Sequence, residues 1–354
     1  MDTEFKFDRI LVSRMKFIGD VVLTTPIIRS LRNAYPGAYI AYLGEKETVS
    51  LLENNPTLNE IIPFDFHRPA LLEQMRVVRL LRRRKFDLAI DLFGNPRTAL
   101  LMFLSGARVR VGPDRRGRGA LYTVRVRDDG VPKSAVEFHN QSLHAVGIPA
   151  SAGGTAIYLT AEEREAGRRT LDEYREKNRK DPQPVVGIHP GATWPAKRWL
   201  PDRFAGLADA LVRRGASVIL TAGARDAGTI AEVRSAAQSA HPVLLDLPLR
   251  RLAAVIAACD VYVTNDAGPL HIAVAVGTPT IGLFGPGEEN IWFPYSTTDG
   301  HRALREDVSC HPCHLDFCNR TGNDFMECMK LLALTEVIDA VERVLQRKPF
   351  ASIR

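Results

Sequence analysis

Four stretches of the chain place charge, hydroxyl or glycine at the end of a short apolar run. In VTNDAGPLHIAVAVGTPTIGLFGP, residues 263–286, the run ends in Asn265-Asp266, and Ala267-Gly268-Pro269 opens a helix. Gly268 lets backbone pass close to a ligand, and Pro269 fits an opening helical position. The N–H groups and dipole of a helix start suit an anion such as a diphosphate. Asp266, Gly268, Pro269, Leu270 and His271 form this candidate set. Singly, Asp266 also reads, somewhat less readily, as a helix cap, and His271 reads more readily as a buried structural histidine. In HPGATWPAKRWLP, residues 189–201, Thr193 offers a hydroxyl and Lys197 and Arg198 offer fixed positive charge. That is chemistry for a leaving group whose negative charge grows as a bond breaks. An ordinary loop with one exposed lysine has the same composition, but Trp194 and Trp199 flank the charges. In TAGARDAG, residues 221–228, Asp226 either holds ribose hydroxyls or caps the next helix. In FIGDVVLTTPIIRSL, residues 17–31, Asp20 stands between a strand and a helix. Ligands of open parallel sheets bind there, so Asp20 is either catalytic or a cap.

These positions need elements to hold them. Apolar runs at 9–13, 38–43, 60–64, 87–92 and 108–112 read as strands. Amphipathic stretches at about 20–34, 45–54, 70–84 and 96–105 lie between them. A second series has strands at 185–189, 216–221, 243–246, 260–264 and 279–284. Its helices fall near 201–214, 226–238, 249–258 and 269–276, and a last helix covers 335–345. The alternation implies βαβ units and parallel sheets, an α/β fold in two halves. The polar stretch EYREKNRKDPQP, residues 173–184, reads as a helix end running into a linker. Neither half carries G-x-G-x-x-G after its first strand or a P-loop, which disfavours a dehydrogenase or an NTPase.

The chain has 354 residues, long for one core, and a net charge of +6. Residues 1–150 carry 23 Lys and Arg against 16 Asp and Glu, whereas residues 151–354 carry 24 against 25. All the excess is in the front half, much of it in 76–85 and 108–127. These clusters are either solvated faces or a docking surface for an anionic glycan or lipid. Aromatic residues are not interleaved with the arginines, and no nucleic-acid-binding signature occurs. No apolar run approaches the length of a spanning helix, and MDTEFKFDR lacks a signal-peptide core, so a cytosolic protein is expected. Cys259 falls in an apolar helix. Cys310, Cys313, Cys318 and Cys328 have a spacing used for metal ligands, with His311 and His314 nearby, so a small structural zinc site is one reading.

Taken together, RMKFIGDVVLTTPIIRSLRNAYPGAYIAYL, HPGATWPAKRW and TNDAGPLHIAVAVGTPTIGLFGP resemble glycosyltransferase family 9, the bacterial ADP-heptose:lipopolysaccharide heptosyltransferases, in order, spacing and length. The cysteine motif is similar to that of heptosyltransferase II-like members. The resemblance implies a GT-B fold, two Rossmann-like domains facing across a cleft. Residues 1–175 would bind the acceptor and 184–334 the nucleotide sugar, and 335–354 would pack back toward the first domain. It implies inverting, metal-independent transfer with no required cofactor, any zinc being structural. Asp20 matches the family's proposed general base, and Lys197 the lysine near the diphosphate. Asp266, Gly268 and His271 match phosphate and heptose contacts. The implied partners are ADP-heptose and an anionic lipopolysaccharide inner core, met by a monomer at the cytoplasmic membrane face of a Gram-negative bacterium, with no nucleic acid. Lys16, Arg115, Arg116 and Arg118 are the basic residues assigned to the acceptor. Lys16-Phe17-Ile18 stands where many relatives carry small residues, which bears on acceptor preference. The alternatives are another GT-B transferase or epimerase with a UDP-linked sugar, and a non-catalytic nucleotide- or glycolipid-binding protein.

Overall fold

The computed structural model describes residues 6–115, 117–174 and 183–347. The chain divides into two compact units, Met1–Tyr158 and Leu159–Arg354. In the first, the strands are β1 Arg9–Ser13, β2 Tyr39–Glu45, β3 Glu60–Phe64, β4 Leu88–Asp91, β5 Val109–Pro113 and β6 Val124–Val126. Its helices are α1 Ile18–Leu23, α2 Thr25–Ala34, α3 Lys46–Val49, α4 Ala70–Arg84, α5 Pro96–Ser105 and α6 Ala135–His144. The second unit has helix α7 Ala161–Asp172 and strands β7 Val185–His189, β8 Ser217–Ala222, β9 Val243–Leu245, β10 Val261–Asn265, β11 Thr280–Phe284 and β12 Arg302–Arg305. Its other helices are α8 Pro201–Arg213, α9 Ala227–Ala236, α10 Leu249–Ala257, α11 Gly268–Ala275, α12 Glu289–Trp292, α13 Glu327–Leu331 and α14 Leu334–Arg347.

Each unit is one six-stranded sheet, ordered β3-β2-β1-β4-β5-β6 and β12-β11-β10-β7-β8-β9. Every strand pair is parallel. Both are the doubly wound Rossmann order, in which the chain reverses direction beside the first strand. The central strands carry near-continuous apolar runs because helices cover both faces. On the first sheet Ile10, Val12, Ile40 and Ile90 pack with Ile27 and Leu31 of α2. On its other face Leu11, Leu43 and Ala89 pack with Val77 and Leu81 of α4 and Leu101 and Met102 of α5. Among the described residues no helix is long and apolar enough to cross a membrane.

Strands β6 and β12 were not anticipated. They are half-exposed edge strands, VRV and RALR, with charges where an apolar run would signal a strand. Helices α6 and α7 were also missed. Both open on a capping box, Ser134 with Glu137 and Thr160 with Glu163, the one local signal that marks them. The division between the units falls at Tyr158/Leu159, before the expected 175–184, because α7 packs on α10 of the second unit. Most of 173–184 lies outside the described residues. Val337, Ile338, Val341 and Val344 of α14 are buried in the second unit's core beside Phe204 and Leu207 of α8. Residues 348–354 lie outside the described residues.

Close packing of α7 on α10 depends on Gly167. A Cβ there would stand 2.1 Å from the Ala254 carbonyl oxygen, which is backbone and cannot rotate away. Gly167→Ala is expected to destabilise the second unit by about 1–3 kcal/mol, measured by chemical denaturation.

Candidate active site

The first unit places its chemistry at the C-terminal ends of β1 and β4, the strands beside the reversal point. Chain leaving β1 carries Arg14, Lys16 and Asp20. Asp20 occupies the third position of α1, and its Oδ2 accepts from the Phe17 N–H at 3.0 Å. Its Oδ1 pairs with the Arg14 guanidinium. Arg14 also donates to the Leu92 carbonyl just past β4, at 2.7 Å, and lies 4.7 Å over the Phe93 ring. Arg14 therefore ties the two strand ends together and fixes the Asp20 carboxylate between a cap and a cation. Of the two sequence readings of Asp20, the capping contact is present. That contact uses one oxygen's lone pair and leaves the carboxylate 12% exposed.

Beneath this pair lies a buried polar layer that sequence reasoning missed. Asp91, the last residue of β4, accepts from the Phe93 and Gly94 N–H groups at 3.0 and 2.9 Å and from the Tyr122 hydroxyl at 2.7 Å. Burial pushes its carboxyl up from the usual carboxylate range. Burial and the neighbouring Asp91 push the Tyr122 phenol up as well. His139 of α6 is buried close by. Burial, with the Arg14 charge second, holds its imidazole down to about 3. It is a neutral ring whose Nδ1 sits 3.2 Å from the Ala135 carbonyl.

The basic residues assigned to the acceptor have separate local contacts. Lys16 lies 3.6 Å from Glu45 and 4.7 Å over Phe66. Arg118 donates to the Gly94 carbonyl at 3.0 Å, in the β4–α5 turn. Arg115 lies 5.7 Å over Phe138 of α6. Arg116 lies outside the described residues.

In the second unit the corresponding edge gathers three of the four stretches. The loop after β7 carries Thr193 and Lys197, and β10 hands over to α11 through Asp266. The Lys197 ammonium meets the Asp266 carboxylate at 2.6 Å and lies 4.6 Å over the Trp194 ring. What holds the loop is Asn265. It is fully buried, accepts from the Trp199 N–H at 3.0 Å and donates to the Pro190 carbonyl at 2.9 Å. Trp199 anchors the loop's far end, with its indole N–H on the Leu332 carbonyl at 3.1 Å and its ring edge-on to Phe204. The loop is clamped at both ends, and only its tip, with Thr193, is exposed.

Gly268 is the first residue of α11 and Pro269 the second. Leu270 is wholly buried and its N–H turns to the Ala267 carbonyl at 3.1 Å, so its side chain belongs to the core. His271 is also buried, with Nδ1 2.7 Å from the Tyr295 hydroxyl. Asp226 accepts from the Gly223 N–H at 3.1 Å and faces His189 Nε2 at 3.8 Å. A Cβ at position 191 would lie 2.3 Å from the Asp226 carboxylate, so that approach requires Gly191. Burial holds His189 down to about 4, against the opposing pull of Asp226.

The sequence profile described as glycosyltransferase family 9 (heptosyltransferase) matches residues 74–320. The chain belongs to glycosyltransferase family 9. Lipopolysaccharide heptosyltransferase 3 of Escherichia coli is 30% identical over 293 residues, spanning 80% of this chain and 85% of that protein. Lipopolysaccharide heptosyltransferase 2 of Escherichia coli K12 is 27% identical over 348 residues, spanning 93% and 99%. The crystal structure of a glycosyl transferase family 9 protein from Veillonella parvula superimposes with a TM-score of 0.82 at 25% identity, covering 98% of this chain and 99% of that one. This family 9 protein is thus a glycosyltransferase, with the GT-B class of fold that its sequence implied.

Cys310, Cys313 and Cys318 lie close enough to Cys328 that their charge, after burial, helps push its thiol up to about 11. Among the described residues, however, no group of three or more His, Cys, Asp or Glu side chains is disposed to hold a metal ion. Cys318 Sγ accepts from the Met326 N–H at 3.3 Å, and Cys328 is half-buried beside Gly285. The segment does have a structural role, since the Asp316 carbonyl accepts from the Ala196 N–H at 3.0 Å, next to Lys197.

Two outcomes are expected. Asn265→Ala leaves the buried Trp199 N–H unpaired and is expected to cost about 1–3 kcal/mol in chemical denaturation. His139 and His189 are neutral when folded and have depressed pKa values, so the unfolded chain binds more protons below its own value near 6.5. Stability is therefore full above about pH 6.5 and lost as pH falls toward 4. His139→Gln or His189→Gln is expected to flatten that loss by about 2–4 kcal/mol in melts at stepped pH.

Proposed function

We propose that this family 9 enzyme transfers heptose from ADP-heptose to the inner core of lipopolysaccharide, with inversion at the anomeric carbon. The observation that carries the reading is the Lys197–Asp266 pair, set where the β7 loop meets the start of α11. It coincides with relatives named lipopolysaccharide heptosyltransferases over most of the chain.

In this reading Asp20 accepts the proton of an acceptor hydroxyl, and the oxygen attacks the anomeric carbon from the face opposite the diphosphate. ADP departs with its growing charge met by Lys197, the Thr193 hydroxyl and the N-terminal end of α11. A carboxylate repels a diphosphate, so Asp266 orients Lys197 and accepts from a sugar hydroxyl. Asp226 serves the ribose side. Because lysine and the helix end supply positive charge at the leaving group, transfer proceeds without a metal ion. The front half's basic excess serves an anionic acceptor at the cytoplasmic face of the membrane, where the enzyme works as a monomer.

The experiment is ADP release with purified core acceptors of stepwise increasing length. Asp20→Ala is expected to lower turnover about 10²–10⁴-fold. ADP should still raise its melting temperature as in the parent, above UDP or GDP, and turnover should persist in a chelator. Turnover undiminished in Asp20→Ala would leave that residue as a helix cap only. A larger thermal shift with UDP would replace the donor.

A further inference from the structure

Helices α4 and α5 cover the same face of the first sheet, with Val77, Leu81, Leu101 and Met102 turned to the core. Their outer sides are also apolar. Leu72 is 63% exposed and Phe103 48%, and Met75 and Leu100 are exposed as well. Along α4 the spacing 72, 75, 79, 83 keeps one side of the helix, so the apolar turn continues into Arg79 and Arg83. The Arg82 guanidinium donates to the Leu104 carbonyl at 2.9 Å, which locks α4 to α5. Other arginines of α4 are neutralised, Arg76 by Glu73 at 2.5 Å and Arg84 by Glu60 at 2.7 Å. Among the described residues Arg79 and Arg83 have no acidic partner.

Exposed apolar side chains on a helix pair that also presents arginines without acidic partners suit a surface that lies on a membrane. We infer that the outer face of α4 and α5 docks on a bilayer containing anionic phospholipid, with Leu72, Met75, Leu100 and Phe103 entering the interface and Arg79 and Arg83 meeting headgroup phosphates. Charge decides the occupant. A second copy using the same face would set these arginines against their own counterparts across a twofold axis. The inference rests on the reading of a lipid-anchored acceptor and adds where the bilayer is met.

The test is flotation of the full chain with phosphatidylcholine vesicles, with and without phosphatidylglycerol. Binding to the anionic vesicles is expected, weakening as salt rises. Leu72→Asp with Phe103→Asp should reduce it by at least about tenfold. Arg79→Gln and Arg83→Gln should each reduce it roughly fivefold. Turnover on a lipid-free, water-soluble core saccharide should be the same in the Leu72→Asp with Phe103→Asp variant as in the parent, and the melting temperature should be the same in all variants. Equal flotation of parent and variants overturns the assignment, as does a parent that ignores anionic vesicles. A concentration-dependent dimer in size-exclusion, abolished by the aspartates, overturns it in favour of a copy-to-copy interface. A parent that floats but fails on every core saccharide strikes the transferase reading and leaves the docking face standing.

Discussion

All six strands of each sheet run the same way, so every strand-to-helix turn of a unit falls along one edge. Backbone hydrogen bonding in the ladder is complete up to that edge and stops there. The carbonyls and N–H groups beyond it must find partners among side chains, turns and helix starts. The candidate site is built from how those partners are supplied. Arg14 takes the Leu92 carbonyl, Asp91 takes the N–H groups of its own turn, and Asn265 takes the Pro190 carbonyl and the Trp199 N–H.

The two units solve the same problem with opposite charge arrangements. In the first, a carboxylate at a helix start is steadied by an arginine from the preceding strand end. In the second, a lysine on a clamped loop is steadied by an aspartate before a helix start. In both, the ionised groups are held by partners of opposite sign, so neither presents a bare charge. A reacting group fixed in this way reorganises little when a substrate's charge changes, which is what electrostatic catalysis asks of a site. Asn265 and Trp199 touch no reacting atom in this scheme. They act through the loop they position.

The buried neutral histidines belong to the same economy of charge. His139 lies under the Arg14 side of the first edge, and His189 ends β7 in the second. Each fills polar space without adding a cation where arginine or lysine already stands. Their acid sensitivity follows from burial rather than from any role in transfer.

The amino-acid sequence by itself determined the α/β alternation, most strand positions, the strand-end locations of Asp20, Lys197 and Asp266, and the family to which the chain belongs. Those features are local, written in apolar runs of fixed period and in glycine and proline at turns. Edge strands β6 and β12 escaped because their exposed positions carry charge. Only the tertiary structure decided that α7 joins the second unit, that α14 packs into that unit's core, and that the Leu270 side chain is buried. The pairing of Lys197 with Asp266, of Arg14 with Asp20, and the Asn265 clamp were likewise decided there. Each depends on which strands lie side by side and which way side chains turn, and neighbours in a parallel sheet come from distant parts of the chain.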